Sequence, residues 1–176
     1  MPDKVYLIAL CGAADRPEDG SPTPLEQARI PHLDALAACG ANGLLTVIDD
    51  VTPPESDSGA LALLGYDPLV HYTGRGPLEG LGTGFLRPRP GVSTVCFRHN
   101  VAGFDPESGE LDRRTGRDLT DPELQELLAQ VRAGVSLADL DADFEITGFG
   151  RHRGVIAFHS NGSELSGEVT NTDPQY

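Results

Sequence analysis

The sequence predicts an α/β chain: a partial parallel-sheet core followed by a small α+β module. Three observations carry that expectation. Residues 5–10, VYLIAL, form a continuous apolar run ending at Cys11-Gly12, the pattern of a strand buried on both faces. Residues 31–39, PHLDALAAC, begin with Pro, space apolar residues on one side and stop before Gly40, as a short amphipathic helix does. Beyond a stretch rich in Gly and Pro, short β-branched runs flank a second amphipathic segment, which defines the α+β module.

Taken in order, the run at 5–10 is the first strand, 31–39 the first helix and Leu44–Ile48 a second strand, together a right-handed βαβ unit in a parallel sheet. After Pro53-Pro54, residues 56–64 read as a helix with Ser56 as N-cap and Gly65 as the stop. Residues 68–90, which include TGRGPLEGLGTG, read as a loop crossing into the second module. That module has strand candidates at Val92–Phe97, Phe144–Thr147 and Val155–Phe158. Between them, Pro122–Arg132 is a helix with Leu124, Leu127, Leu128 and Val131 on one face. The expected organisation is a core over 1–75, a second domain over 85–170 and a tail at 171–176. The composition of 160–176 suggests poor order.

Charge narrows the function. Thirteen basic and 27 acidic residues give the 176-residue chain a net charge of −14. Binding to nucleic acid or to an anionic membrane needs a basic footprint, so both partners are excluded. No apolar run reaches the ~18–20 residues of a membrane span, and the start, MPDK, is not a signal-peptide n-region. A cytoplasmic protein is expected. The three cysteines, Cys11, Cys39 and Cys96, form neither a CxxC pair nor an even framework, which points to free and mostly buried thiols. Twelve of the 13 basic residues are arginines, the side chain suited to bidentate recognition of phosphate and carboxylate. Residues 1–74 carry a net charge of −8, residues 75–117 carry +2 and residues 118–176 carry −8. A basic island in an acidic field fits a small anionic ligand, and it fits equally a set of surface arginines in rim ion pairs. Ser56, at a helix start, sits where the macrodipole favours an attacked phosphate, and it also fits a plain cap. Asp57 fits either a metal ligand or an ordinary acidic residue of a first helical turn.

Longer blocks carry a resemblance. Residues 7–17 (LIALCGAADRP), 23–36 (TPLEQARIPHLDAL), 53–68 (PPESDSGALALLGYDP) and 72–79 (YTGRGPLE) resemble, in order, the archaeal-type cofactor-independent phosphoglycerate mutase family. The match continues through 97–102 (FRHNVA), 111–117 (LDRRTGR), 150–154 (GRHRG) and 170–174 (TNTDP). The resemblance implies a partial alkaline-phosphatase-like core with an inserted α+β lid domain. It also implies a reaction that interconverts 3-phosphoglycerate and 2-phosphoglycerate through a phosphoserine, with two divalent cations (Mn, Mg or Zn) activating the serine. On this resemblance Ser56 corresponds to the nucleophile. Arg75, Arg98, Asn100, Arg113, Arg114, Arg117 and Arg153 correspond to residues that hold a phosphorylated small-molecule acid.

The departures from the family pattern shape the expectation. Cys11 stands where the family has an Asp metal ligand, and a thiolate suits Zn²⁺ better than Mg²⁺ or Mn²⁺. Asp57 is the other candidate ligand. Glu55 precedes Ser56 where the family commonly has Gly, and no His follows in the next turn. The family is longer, and its remaining ligands lie beyond the block matching 170–174. The chain is therefore expected to be inactive alone while keeping a phosphorylated-acid site. Alternatives are the N-terminal half of a split metal-dependent mutase and a non-catalytic assembly subunit. A homo-oligomer or a second chain is expected to complete the core sheet.

Overall fold

The computed structural model describes residues 4–15, 20–87 and 89–172, which divide into two units, one through Thr46 and one from Val47 onward. The first unit holds helices α1 (Pro24–Gln27) and α2 (Pro31–Cys39). Thr23 and Glu26 close a reciprocal capping box on α1, and α2 begins at Pro31 and ends at Gly40 as its sequence dictates. The two strands expected here do not form. Val5 is 90% exposed and Ile8 77%, Leu44 and Leu45 are exposed, and neither segment belongs to a sheet. A strand exists only as a hydrogen-bonded pair, and neither run finds a partner among the described residues. The parallel layer is accordingly absent from them. Cys11 and Cys39 are exposed as well, against the expectation of burial.

The second unit carries α3 (Ser56–Leu63), α4 (Pro68–His71), α5 (Arg75–Gly82), β1 (Ser93–Asn100), β2 (Gly103–Phe104), β3 (Leu111–Asp112), a 3₁₀ turn (Thr115–Asp118), α6 (Asp121–Gly134), a second 3₁₀ turn (Ala138–Leu140), β4 (Ala142–Phe149) and β5 (Arg153–Ser160). The chain is thus mixed α/β. Its main sheet is antiparallel in the order β1-β5-β4, with Ser93 opposite Ser160, Asn100 opposite Arg153 and Phe149 also opposite Arg153. The small β2-β3 ladder lies between β1 and β4 in sequence and pairs Gly103 with Asp112 and Phe104 with Leu111. All three strand candidates and the helix at 122–132 appear, each two to four residues longer than expected, with β1 starting at Ser93 and not at Val92. The tail is tied back at its start: Gly162 and Ser163 donate backbone N–H to Ser160 Oγ, and Leu165 donates to Ser93 Oγ at 2.8 Å. Residues 173–176 lie outside the described residues.

Each face of this sheet has its own helix. Cys96, Val155 and Ala157 are buried on the α5 side, with Phe85, Leu86 and Phe149 packed against them. Leu124, Leu128 and Ile146 are buried on the α6 side with Val101, Phe144 and Ile156. The period-2 alternation of β5 therefore feeds two cores, and α6 supplies its apolar stripe to one of them.

Residues 68–90 are not the loop expected of them, since α4 and α5 lie inside that segment. The glycines of RGPLEGLG are contact residues. A Cβ at Gly76 would collide with the Cys96 carbonyl oxygen and lie 2.6 Å from Phe97 Cα, and one at Gly80 would lie 2.9 Å from Leu86 Cβ. Spaced one turn apart, they let the helix backbone lie directly on β1. No helix among the described residues is long and apolar enough to cross a membrane.

Candidate functional site

Two clusters contain the sequence-derived candidates of the second unit, and α5 connects them. The first surrounds the start of α3. Glu55, not Ser56, is the N-cap: its backbone N–H donates to Ser58 Oγ at 3.0 Å, and Ser56 is the first helical residue, with its side chain exposed. The Asp57 carboxylate accepts from the Tyr72 hydroxyl at 2.5 Å, from Arg75 Nε at 2.9 Å and from the Ser58 backbone N–H at 3.0 Å. Arg75 also reaches Glu55 Oε2 at 2.6 Å.

These contacts set the local titration. Burial acts to raise the Asp57 pKa, but the hydrogen bonds from Tyr72, Arg75 and Ser58 outweigh it and hold the carboxyl below the ordinary carboxylate range. Burial, and then the hydrogen bond to Asp57, push the Tyr72 hydroxyl up to about 12. The hydrogen bond to Asp57 raises Arg75 further above its ordinary value. Asp57 thus has both oxygens engaged by donors, and Arg75 is spent on two carboxylates.

The second cluster lies at the end of the sheet where β5 begins. Arg98 and Asn100 come from β1, Arg117 from the 3₁₀ turn, and Arg151, His152 and Arg153 from the β4–β5 hairpin. Burial lowers the His152 pKa, and the charges of Arg153, Arg117, Arg98 and Arg151, in that order, lower it further. Four guanidinium charges therefore act on one imidazole. Arg98 donates to Asn100 Oδ1 at 3.4 Å and stands 3.7 Å from Glu79 Oε2. Arg98 Nε, Glu79 Oε2 and His152 Nδ1 are buried without a hydrogen-bond partner among the described residues, the condition of polar groups awaiting a ligand or water.

Local backbone explains how these residues meet. Gly150 (φ 63°) and Arg151 (φ 71°) both take left-handed conformations to close the hairpin, and the Arg151 N–H donates to Asp121 Oδ1 at 3.3 Å. Holding a non-glycine residue there costs on the order of 1 kcal/mol. The 3₁₀ turn is set by Asp112, whose carboxylate accepts from the Arg114 backbone N–H at 2.8 Å and from Thr115 Oγ1 at 2.6 Å. Gly116 lies so close to Val101 that a Cβ would collide with its carbonyl oxygen. His99 reaches across β5 to the Thr147 carbonyl at 3.0 Å, over Gly154, where a Cβ would strike the imidazole.

Of the candidates, Arg98, Asn100, Arg117 and Arg153 come together. Arg113 and Arg114 lie in the segment leading into the 3₁₀ turn, and neither is among the charges acting on His152. Arg75 belongs to the α3 cluster. Sequence reasoning did not single out Arg151, His152, Tyr72 or Glu79, although each lies inside a block that carried the resemblance. Glu79 follows Arg75 by one helical turn, so α5 faces Asp57 with one residue and Arg98 with the next.

Among the described residues the Asp57 carboxylate is engaged by Tyr72 and Arg75, and no group of three or more His, Cys, Asp or Glu able to hold a metal ion occurs. Cys11 and Asp57 do not by themselves supply the donor set of a divalent cation.

Comparison with known proteins gives a consistent answer. The sequence model of 2,3-bisphosphoglycerate-independent phosphoglycerate mutase matches residues 37–176. A protein of that name from Methanocorpusculum labreanum is 39% identical over 174 residues, 98% of this chain and 41% of its own length. One from Methanopyrus kandleri is 42% identical over 177 residues, 98% of this chain and 40% of its own. A probable 2,3-bisphosphoglycerate-independent phosphoglycerate mutase from Thermus thermophilus is 40% identical over 176 residues, 99% of this chain and 41% of its own. No solved structure matches. The chain spans about two-fifths of the length of the curated relatives it matches. With its family model covering most of its residues and its sequence blocks in the same order, the chain belongs to the 2,3-bisphosphoglycerate-independent phosphoglycerate mutase family.

Proposed function

We propose that this phosphoglycerate-mutase-like chain binds a phosphorylated small acid through the arginines at the hairpin end of its sheet and has no turnover by itself. The observation that carries the reading is that the charges of Arg153, Arg117, Arg98 and Arg151, brought by β1, the 3₁₀ turn and the β4–β5 hairpin, all act on His152. Guanidinium forks bind phosphate or carboxylate through paired charge-assisted hydrogen bonds, and a chain of net charge −14 concentrates anions only where its own field reverses. Arg113 and Arg114 add to the same basic stretch of sequence.

In this reading residues 85–170 are the lid and residues 1–75 part of an alkaline-phosphatase-like core. The exposed run at 5–10 and the exposed Leu44 and Leu45 are covered by a second copy or a second chain. The protein is cytoplasmic, and the acid it binds is a substrate of the family reaction, the glycolytic interconversion of 3-phosphoglycerate and 2-phosphoglycerate. Ser56 presents its hydroxyl in the first turn of α3, where the macrodipole favours phosphate. The carboxylates on either side, Glu55 and Asp57, are both held by Arg75. Neither is available as a base for Ser56, and a divalent cation would need donors from elsewhere. A second reading, a half-enzyme active with a partner that supplies those donors, is favoured by the exposure of Ser56.

Calorimetric titration of the chain with 3-phosphoglycerate, with and without Mn²⁺, tests the proposal. Binding independent of metal is expected, about tenfold weaker in Arg153→Ala or Arg117→Ala. Variants that bind like the parent would overturn the binding site. Metal-dependent mutase or phosphatase turnover that is lost in Ser56→Ala would overturn the claim of inactivity.

A further inference from the structure

The α5 face of the sheet has a second polar end. Along β5, Arg153, Val155, Ala157 and His159 share that face; the two apolar residues lie under α5 and its following segment, and His159 emerges beyond them. There a cavity of about 380 Å³ opens, lined by Phe85, Arg87, Arg89, Glu145, Ala157 and His159 among others. Six residues of strand separate Arg153 from His159, on the order of 20 Å, so this cavity is distinct from the arginine cluster around His152.

Its chemistry is specific. His159 is only 4% exposed, and its Nδ1 lies 2.9 Å from Thr94 Oγ1 on the neighbouring strand. Its Nε2 is buried and has no partner among the described residues. Burial, and then the charge of Arg89, lower the pKa of the ring, with Asp143 opposing them, so the imidazole is neutral at pH 7. When the Thr94 hydroxyl donates to Nδ1, Nε2 carries the proton and is a donor left unsatisfied. Arg89 is already paired with Glu145 and stands 3.7 Å from Asp143. Arg87 has no carboxylate partner among the described residues. In that tautomer a buried N–H donor without an acceptor and a cation without a carboxylate partner among the described residues line one small cavity, and an oxyanion satisfies both.

We propose that this cavity is a second anion site, in which the His159 Nε2–H and the Arg87 guanidinium hold one phosphate-sized oxyanion while Glu145 and Asp143 retain Arg89. The anion is free phosphate or the phosphate group of a small ester. The site does not depend on the proposed phosphoglycerate site, since no residue is shared.

Histidine-ring NMR of the full chain tests it. The His159 imidazole resonances, assigned by their loss in His159→Gln, are followed while inorganic phosphate or glycerol 1-phosphate is added up to about 10 mM, the range of a weak single-anion site. A saturable shift is expected in the parent and in Arg153→Ala, with the half-saturation point raised about tenfold in Arg87→Ala, an exposed substitution that leaves the core intact. Whichever of the two probes saturates at the lower concentration identifies the source of the anion. The proposal is overturned by the absence of a saturable shift, by a shift unchanged in Arg87→Ala, or by one that disappears in Arg153→Ala. Because Arg153→Ala is the variant that weakens phosphoglycerate binding, failure of one site is read separately from failure of the other.

Discussion

Replacing Gly76 with Ala is the sharpest test of how α5 is held. On an isolated helix the change is favourable by about 1 kcal/mol, because Ala is the better helix former. Here the added methyl would strike the Cys96 carbonyl oxygen and sit 2.6 Å from Phe97 Cα, whereas ordinary contact begins near 3.4 Å. Both obstacles are backbone of β1, a strand paired along its whole length to β5, so no side chain can swing aside. The helix must lift by about 1 Å, which opens the contacts of Cys96, Phe85 and Leu86, and overpacking of this kind costs about 1–3 kcal/mol. At contacts this short the upper end of that range applies, and net of the helix preference the expectation is a destabilisation of about 2 kcal/mol. Gly82, in the same helix, meets nothing within 4 Å of its would-be Cβ. Gly82→Ala is therefore expected to be neutral or stabilising by up to about 0.5–1 kcal/mol. Urea unfolding followed by circular dichroism measures both variants against the parent in one experiment. A Gly76→Ala chain as stable as the parent, or a loss of equal size in both variants, would refute direct backbone contact as the reason for the glycines.

Two further outcomes follow from the titrating groups. Asp57 has a pKa depressed in the folded chain relative to its ordinary value of 3.8. Its contribution to stability is therefore fully present above pH 3.8 and is lost as pH falls through the lower folded value. Asp57→Asn should lower stability at neutral pH and flatten the acid limb of the stability profile, read from unfolding midpoints between pH 2 and pH 6 (about the span set by carboxylate titration); an unchanged acid limb would count against the Arg75–Tyr72 network. His152 is expected to titrate below the ordinary histidine value of 6.5, and Arg153→Ala should move it upward, because removing a neighbouring positive charge favours the protonated ring. Proton NMR of the imidazole checks the direction, and a downward move would mean that the arginine is remote from His152.

The parts of the fold that were legible in sequence are those whose pattern is local. The stripe of Leu124, Leu128 and their neighbours marked α6, and the β-branched runs marked β1, β4 and β5, because each element faces a core with a regular period. Helix α5 was hidden for a physical reason: Gly76 and Gly80 look like loop residues until β1 is placed against them. The opposite error occurred at 5–10, where an apolar run promised a strand but pairing, which no single segment encodes, is absent among the described residues. The candidate site divided in the same way. A basic island was visible as a count of charges, whereas its focus on His152 depends on a hairpin that turns Arg151 through a left-handed conformation. The pairing of Asp57 with Arg75, 18 residues on, was equally invisible.

The glycine-mediated seat of α5 also fixes a distance. Arg75 and Glu79 are one turn apart on that helix, about 6 Å along its axis, and they hold the acidic start of α3 and the basic end of β1 respectively. Since the helix rests on strand backbone and not on a cushion of interchangeable side chains, this spacing does not vary with what fills the cores on either side. Hydrophobic residues such as Leu124, Ile146 or Phe149 are free to drift in size over evolutionary time without retuning the interval between the two clusters. Exchange of Gly76 or Gly80 would instead lift the helix off β1 and displace both contacts together.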